Sequence, residues 1–208
     1  MKYIAVFFLL LFSGSASAVE YTAVLAEFKI YTDFAINVGR LIGFILFGMS
    51  WYSLKKNADN PNQYPISTVL WGMISGLFLQ IAGVLYSAFY NSFMGESKAL
   101  DNSFLALDVA AINQMSGVAT GTNSILGKMV PPETMSMVIG ILYFIGVLSF
   151  LKGIYLVKDV GQQNNMGDGK SAGGKAIVHM VAGFIAMHIT KFGCALEASF
   201  GFGLMCTS

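Results

Sequence analysis

The stretch that decides the fold runs from Phe144 to Gly183 and reads FIGVLSFLKGIYLVKDVGQQNNMGDGKSAGGKAIVHMVAG. It contains an apolar run, a glycine-rich loop with lysines, and a second apolar run. The same layout occurs earlier in the chain, where LIGFILFGMSWYSLK (Leu41–Lys55) aligns with FIGVLSFLKGIYLVK (Phe144–Lys158). Two apolar runs joined by a short polar loop predict a helical hairpin.

This hairpin is predicted to occur twice. At one constant offset the first helices share identities that pair Gly43 with Gly146, Phe47 with Phe150, Tyr52 with Tyr155, and Lys55 with Lys158. After the loop, VLWGMISGLFL aligns with AIVHMVAGFIA and sets Gly76 on Gly183. The pattern favours an internal duplication in which both copies run in the same direction. Chance similarity between two membrane hairpins is the alternative.

The composition places the chain in a membrane. Apolar residues make up 55% of the 208 residues and charged residues 11%, whereas a soluble domain carries roughly 25% charged residues. The 23 glycines and 12 methionines suit closely packed membrane helices. We therefore expect the lipid bilayer as a partner. The net charge of +1 offers no basic footprint, so no direct nucleic-acid binding is expected.

The first eighteen residues read as a secretory signal peptide. Lys2 supplies the positive end, an apolar core follows, and Ala16-Ser17-Ala18 fits the small-residue cleavage pattern. An uncleaved anchor is the alternative, but the apolar core is far shorter than the about 20 residues that cross a bilayer.

The rest of the chain reads as an all-α membrane protein with four transmembrane helices. The first hairpin covers residues 19–92, with spans at about 34–54 and 69–90. The second covers 135–192, with spans at about 135–157 and 176–192. Between them, residues 93–134 form a connection in which apolar spacing over Glu96–Met115 predicts an amphipathic helix on the outer surface or on a partner.

Charge sets the predicted orientation. Cytoplasmic loops collect lysine and arginine, and a cleaved signal peptide places the mature N-terminus outside the cytoplasm. Both cues put the two basic loops in the cytoplasm, with Lys55 and Lys56 in the first and Lys158, Lys170 and Lys175 in the second. The predicted localisation is therefore the bacterial inner membrane, with both termini periplasmic. These lysines are expected to meet anionic headgroups or a cytoplasmic partner.

Cys194 and Cys206 fall at the start and end of the periplasmic tail, residues 193–208. A disulfide is reasonable in that oxidising compartment, and two unpaired thiols are the alternative.

Small and polar residues within the spans are candidate contact sites. Small residues let helix backbones approach closely, which makes a set of glycines candidate packing positions: Gly39, Gly43, Gly72, Gly76, Gly146 and Gly183. The intramembrane polar residues are Asn37, Arg40 and Gln80. Arg40 either contacts a partner helix or extends to the headgroup level, and Gln80 is expected to hydrogen-bond to a neighbouring helix.

The sequence predicts neither catalytic residues nor a metal or cofactor site. Gly169-Lys170-Ser171 lacks the first glycine and the preceding strand of a phosphate-binding loop. His179 and His188 fall on opposite faces of one straight helix, so they cannot share a metal there. The polar tips of His188 and Lys191 are expected to reach the membrane interface.

The second hairpin consists of an apolar run ending in Lys152-Gly153-Ile154-Tyr155, a Gln-Asn-Gly-rich loop, and the stretch from Ala176 to Phe184. In this form it resembles the IcmC/DotE family, which is similar to the TraQ proteins of IncI-type conjugation. The resemblance implies a non-enzymatic inner-membrane component of a type IVB secretion or conjugation apparatus. Its partners would be other membrane proteins of that apparatus, and a homo-oligomer is possible. The alternatives are a pilin-like subunit of a conjugative pilus and a small channel or transporter subunit.

Overall fold

A computed structural model of the chain describes residues 21–95, 100–119, 130–161 and 172–200, and every regular element in these ranges is helical. The predicted signal peptide, Lys170 and Cys206 lie outside the described residues. The α-helices in chain order are α1 (Tyr21–Asp59), α2 (Ile66–Gln80), α3 (Ala82–Met94), α4 (Val109–Ala119), α5 (Pro132–Leu156), α6 (Ala172–Met187) and α7 (Ile189–Phe200). Short 3-10 helices cover Asn102–Leu105 and Val157–Gly161.

Two of the described helices are long and apolar enough to cross a membrane: residues 23–59 within α1, and residues 132–161, which comprise α5 and its 3-10 extension. The number rises to four if α2 with α3, and α6 with α7, each count as one bent span. The predicted spans at 34–54 and 135–157 fall on the two long helices. The all-helical class is therefore confirmed, with two to four candidate membrane spans.

The first helix pair is closed by glycines. A Cβ atom built on Gly43 would lie 2.7 Å from the carbonyl oxygen of Gly76, and one on Gly76 would lie 2.8 Å from that of Gly43. Gly72 faces the Ser50 side chain in the same way. Because a Cβ in these places would overlap backbone or buried atoms, α1 and α2 can approach this closely only with glycine at the crossing.

The second helix pair repeats this contact. A Cβ on Gly146 would lie 2.7 Å from the carbonyl oxygen of Gly183, and one on Gly183 would lie 2.6 Å from that of Gly146. The next partner also corresponds, since Gly76 abuts the backbone nitrogen of Phe47 and Gly183 that of Phe150. Gly153 extends this contact on α5, where its Cβ would lie 2.7 Å from the nitrogen of Met180.

The two pairs lie side by side with α1 and α5 running in the same direction. Leu25 contacts Gly140, the rings of Phe28 and Phe144 are 6.4 Å apart, and Gly39 faces Leu151. Both sets of positions increase together along the chain, so the helices are parallel. Near the N-terminus of α2, Thr68 donates a 3.2 Å hydrogen bond to the carbonyl oxygen of Gly161. This contact brings the two basic loops to the same end of the molecule.

The predicted spans at 69–90 and 176–192 are each divided into two helices in the structure. The first breaks at Ile81, where α2 and α3 are bent by 83°, and the second breaks at His188, where α6 and α7 are bent by 87°. At 15 and 16 residues, α2 and α6 are each shorter than the about 20 residues of a straight crossing. Neither break contains a proline, which is why the apolar patterns read as continuous.

The connection between the hairpins also differs from the predicted amphipathic helix at 96–115. The Asp101 side chain accepts a hydrogen bond from the Ser103 nitrogen, and the Asp108 side chain accepts one from the Ala110 nitrogen, so each aspartate starts a separate short element. Leu105, Leu107 and Ile112 are buried in the core. This segment packs on α5, where Ser136 donates to the Ser116 hydroxyl at 2.8 Å, and does not lie free on a surface.

The glycine crossings make opposite predictions for two alanine substitutions. Gly146→Ala should lower the free energy of unfolding by about 1–3 kcal/mol, because the added methyl overlaps the backbone of Gly183. Gly48→Ala is the matched control on α1, since a Cβ there meets nothing within 4 Å. We expect it to unfold at the same or higher denaturant, as alanine is the better helix former. Unfolding in mixed detergent followed by circular dichroism measures both, and equal stability of the two variants would contradict the packing.

Candidate functional site

The bend at Ile81 directs α3 across the second helix pair and creates an aromatic cluster. The ring of Tyr86 lies 5.9 Å from that of Phe150, edge to face, and 5.8 Å from that of Phe184. Phe89 meets the same two rings at 5.8 and 6.3 Å. Tyr86, Phe150 and Phe184 are almost fully buried, so this cluster joins the two hairpins into one core.

A polar pair is buried within the cluster. The Tyr86 hydroxyl is hydrogen-bonded to His188 Nε2 at 2.5 Å, and the two rings are stacked. Only 8% of His188 is exposed, so its side chain is buried in the protein and the prediction that it reaches the membrane interface is wrong. A buried polar group without a partner is destabilising, so the tyrosine and the histidine hold each other in place across the two hairpins.

A second contact of the same kind lies one turn further along both helices. Lys191 donates a 2.6 Å hydrogen bond to the Tyr90 hydroxyl, and its ammonium lies 5.0 Å from the centre of that ring. The Tyr90 ring also lies 5.1 Å from His188. Tyr86 and Tyr90 are four apart on α3, and His188 and Lys191 span the start of α7, so helical spacing aligns the two pairs.

These groups form part of the wall of an open cavity of about 680 Å³ that is lined by α3, α4, α5 and α7. Asp108, Gln114 and Tyr143 add further polar groups to its lining, and the Tyr143 hydroxyl donates to the carbonyl oxygen of Leu105 at 3.3 Å. The Thr190 side chain is buried, and its hydroxyl has no hydrogen-bond partner among the described residues. Aromatic walls with hydroxyl, amide and charged groups suit hydrogen bonding to a polar ligand or to a polar side chain of a partner.

Cys194 also lines this cavity and is disulfide-bonded. The sequence has one other cysteine, Cys206, which lies outside the described residues. No group of three or more histidine, cysteine, aspartate or glutamate side chains in the described part of the chain is arranged to hold a metal ion.

The predicted basic loops lie at the opposite end of the molecule from this cavity. Lys56 stacks on Tyr52 and Tyr64 at 4.8 and 5.2 Å from the ring centres. Lys158 forms a 3.2 Å ion pair with Asp159 and lies 4.5 Å from the Tyr155 ring centre. Lys55 is exposed at the end of α1, and Lys175 lies in the first turn of α6.

The predicted intramembrane polar residues do not form one site. Asn37 is exposed, Arg40 is half-buried, and Gln80 is the last residue of α2 at the bend. Among the predicted packing glycines, Gly39 contacts Leu151 of the second hairpin, whereas the others close the helix pairs.

Sequence reasoning did not find the pairing of Tyr86 with His188 or of Tyr90 with Lys191. The available signal was a shared spacing, because two tyrosines four apart and a histidine and lysine three apart each mark one helical face. The partners lie more than a hundred residues apart along the chain, at positions 86 and 188, and only the bends bring them together.

Comparison of the chain with protein-family models, with curated protein sequences and with solved structures gives no match.

The buried pair can be tested by removing one hydroxyl. Tyr86→Phe should lower the free energy of unfolding by about 1–3 kcal/mol, because His188 Nε2 then loses its partner in a buried position. Tyr31→Phe is the matched control, since Tyr31 is 56% exposed.

The double variant Tyr86→Phe/His188→Phe should lose less stability than the two single variants combined, because both members of the polar pair are then removed. Denaturation in mixed detergent measures the free energy of unfolding of the unsubstituted chain, of each single variant and of the double variant. Additive losses, or a Tyr86→Phe variant as stable as the control, would show that the hydrogen bond does not link the hairpins.

Proposed function

We propose that this chain is a non-enzymatic structural component of an inner-membrane secretion or conjugation apparatus of the type IVB kind. The observation that carries the proposal is the contrast between the two sides of α1. One side is closed by backbone contacts to α2, while the other presents large apolar side chains, with Phe34, Phe44 and Trp51 each more than 60% exposed.

That contrast suits a rigid unit surrounded by lipid and by other membrane proteins. In the most apolar 18-residue window of α1, 17% of the window is buried inside the protein, whereas 50% is buried in the corresponding window of residues 132–161. In a bilayer an apolar face gains little from leaving lipid, so association depends on shape and on small residues. A helix with one fixed side and one open side supplies such a surface to neighbouring subunits. The resemblance of the second hairpin to IcmC/DotE supplies the class of apparatus.

The two hairpins are, in this proposal, copies of one ancestral unit. The support is that the crossing of Gly43 with Gly76 has its counterpart in that of Gly146 with Gly183. The bends correspond as well, because Ile81 and His188 take the same place five residues after Gly76 and Gly183. Shared composition alone gives no reason for two helices to bend at matching positions.

The end of the molecule that carries the basic loops faces the cytoplasm in this proposal, and the end with the aromatic cavity faces the periplasm. The lysine content of the loops supports that orientation, as does the disulfide-bonded Cys194 beside the cavity.

Cysteine labelling in intact cells tests the orientation. Asn62→Cys, in the exposed loop between α1 and α2, should stay unlabelled by a membrane-impermeant maleimide until the cells are opened. Leu100→Cys, which is 61% exposed at the other end, should label in intact cells once the outer membrane is permeabilised. The unsubstituted chain is the background control. Labelling of Asn62→Cys from outside would reverse the orientation.

Deletion of the gene tests the function. In a bacterium that carries the apparatus, we expect deletion to reduce DNA or protein transfer to background, and the intact gene supplied in trans to restore it. The mature protein should stay in the membrane fraction. Normal transfer by the deletion strain would contradict the proposal, and recovery of the protein mainly in sheared extracellular filaments would favour the pilin-like alternative.

A further inference from the structure

The contact between the two hairpins uses one face of α5. Three buried residues lie on this face: Val147, Leu151 and Ile154, whose exposed fractions are 0%, 7% and 0%. Leu151 packs on Gly39 of α1, where a Cβ atom would lie 3.4 Å from both of its methyl carbons. Ser75 of α2 donates a 2.9 Å hydrogen bond to the carbonyl oxygen of Ile154. A large residue of the second hairpin thus packs on a small residue of the first.

The corresponding face of the first hairpin is open. In the alignment that pairs Gly43 with Gly146, the positions of Val147, Leu151 and Ile154 are taken by Phe44, Gly48 and Trp51. Phe44 is 68% exposed and Trp51 is 63% exposed, and a Cβ on Gly48 would meet nothing within 4 Å. The face that α5 buries inside the chain is therefore left uncovered on α1, with a notch at Gly48 between two large rings.

The second hairpin also has an open face, the one that corresponds to the contact surface of the first. The positions of Gly39 and Ser75 are taken by Leu142, which is half-buried, and Ala182, which is exposed. Val138 and Ile145, one turn to either side of Leu142, are 44% and 45% exposed. Each hairpin thus leaves uncovered the face whose counterpart on the other hairpin forms the contact within the chain.

Residue sizes on the two open faces are complementary. Inside the chain Leu151 packs on Gly39, and in the corresponding contact between two chains Gly48 would receive Leu142. The leucine and the glycine have exchanged places between the two corresponding faces, and a leucine still packs on a glycine. At the second contact the sides stay as they are, because Ile154 beside Ser75 corresponds to Trp51 beside Ala182, and a large residue again meets a small one. Close helix approach in a membrane requires such pairing of large with small residues.

We propose that a second copy of this chain docks its second hairpin on the open face of α1, so that Leu142 enters the notch at Gly48. The proposal rests on the duplication put forward under Proposed function. The contact joins two different surfaces, so it is heterologous and leaves one open face at each end of a dimer. Copies of the chain therefore add in one direction and form a closed ring or an open row, depending on the rotation between them.

Disulfide cross-linking of the full chain in native membranes tests the contact. Chains carrying Gly48→Cys and chains carrying Leu142→Cys are produced together and oxidised, and a dimer should form that neither variant forms alone. The double variant Gly48→Cys/Leu142→Cys should give a series of larger species. Met49→Cys with Leu142→Cys is the matched control, because Met49 is 62% exposed but points to another side of α1.

A size change tests the notch while leaving the fold intact. Gly48→Leu fills the notch without meeting any atom of its own chain at Cβ. Cross-linking between Trp51→Cys and Ala182→Cys serves as the readout, and Gly48→Leu should lower its yield about tenfold or more, the scale of an overpacked contact. Met49→Leu should leave the yield unchanged.

Three outcomes would overturn the proposal: no Gly48–Leu142 product above the Met49 control, a dimer from Gly48→Cys alone, or a Gly48→Leu variant with unchanged cross-linking. These measurements need neither transfer activity nor other subunits. If the chain is required for transfer but does not cross-link, the proposed self-association is wrong and the proposed function stands. If the chain cross-links but is not required for transfer, the proposed function is wrong and the self-association stands.

Discussion

The structure depends on the direct contact of helix backbones at two glycine pairs. At each crossing the carbonyl oxygen of one glycine occupies the space that a Cβ atom of the other would take, with separations of 2.6 to 2.8 Å for the hypothetical atoms. Surrounding lipid is as apolar as the side chains, so burial of oily surface does not hold such helices together. Dispersion contacts between closely spaced helix backbones hold the helices together, and only glycine permits that distance.

Once the two helix pairs are closed, the remaining architecture follows from how they are joined. The bend at Ile81 turns α3 away from its own hairpin and lays Tyr86 and Tyr90 across the other one. The bend at His188 positions the histidine and Lys191 to meet those hydroxyls. Two hydrogen bonds and an aromatic cluster thereby link residues near position 90 with residues near position 190, and the helices that follow the two bends line the cavity beside them.

In the proposed duplication, the open faces are a consequence of building one chain from two similar units. A repeated unit that contacts its sister through two different surfaces always leaves one of each uncovered at the ends. Terminal units of repeat proteins are usually altered to suit water. Here Phe44, Trp51, Val138 and Ile145 remain large and apolar, which suits a membrane surrounding and a further copy of the chain.

The sequence by itself determined the membrane class, the helical content, the two long helices and the glycine positions at which the pairs cross. These are local or periodic properties, since apolar run length and the spacing of small residues can be read within one segment. Tertiary structure alone decided the bends, the division of the 96–115 segment into two short elements, and the pairing of Tyr86 with His188. No proline marks Ile81 or His188, and each bend is stabilised by contacts with partners from distant parts of the chain. A pattern of apolar residues carries no information about contacts that exist only after the two hairpins have packed together.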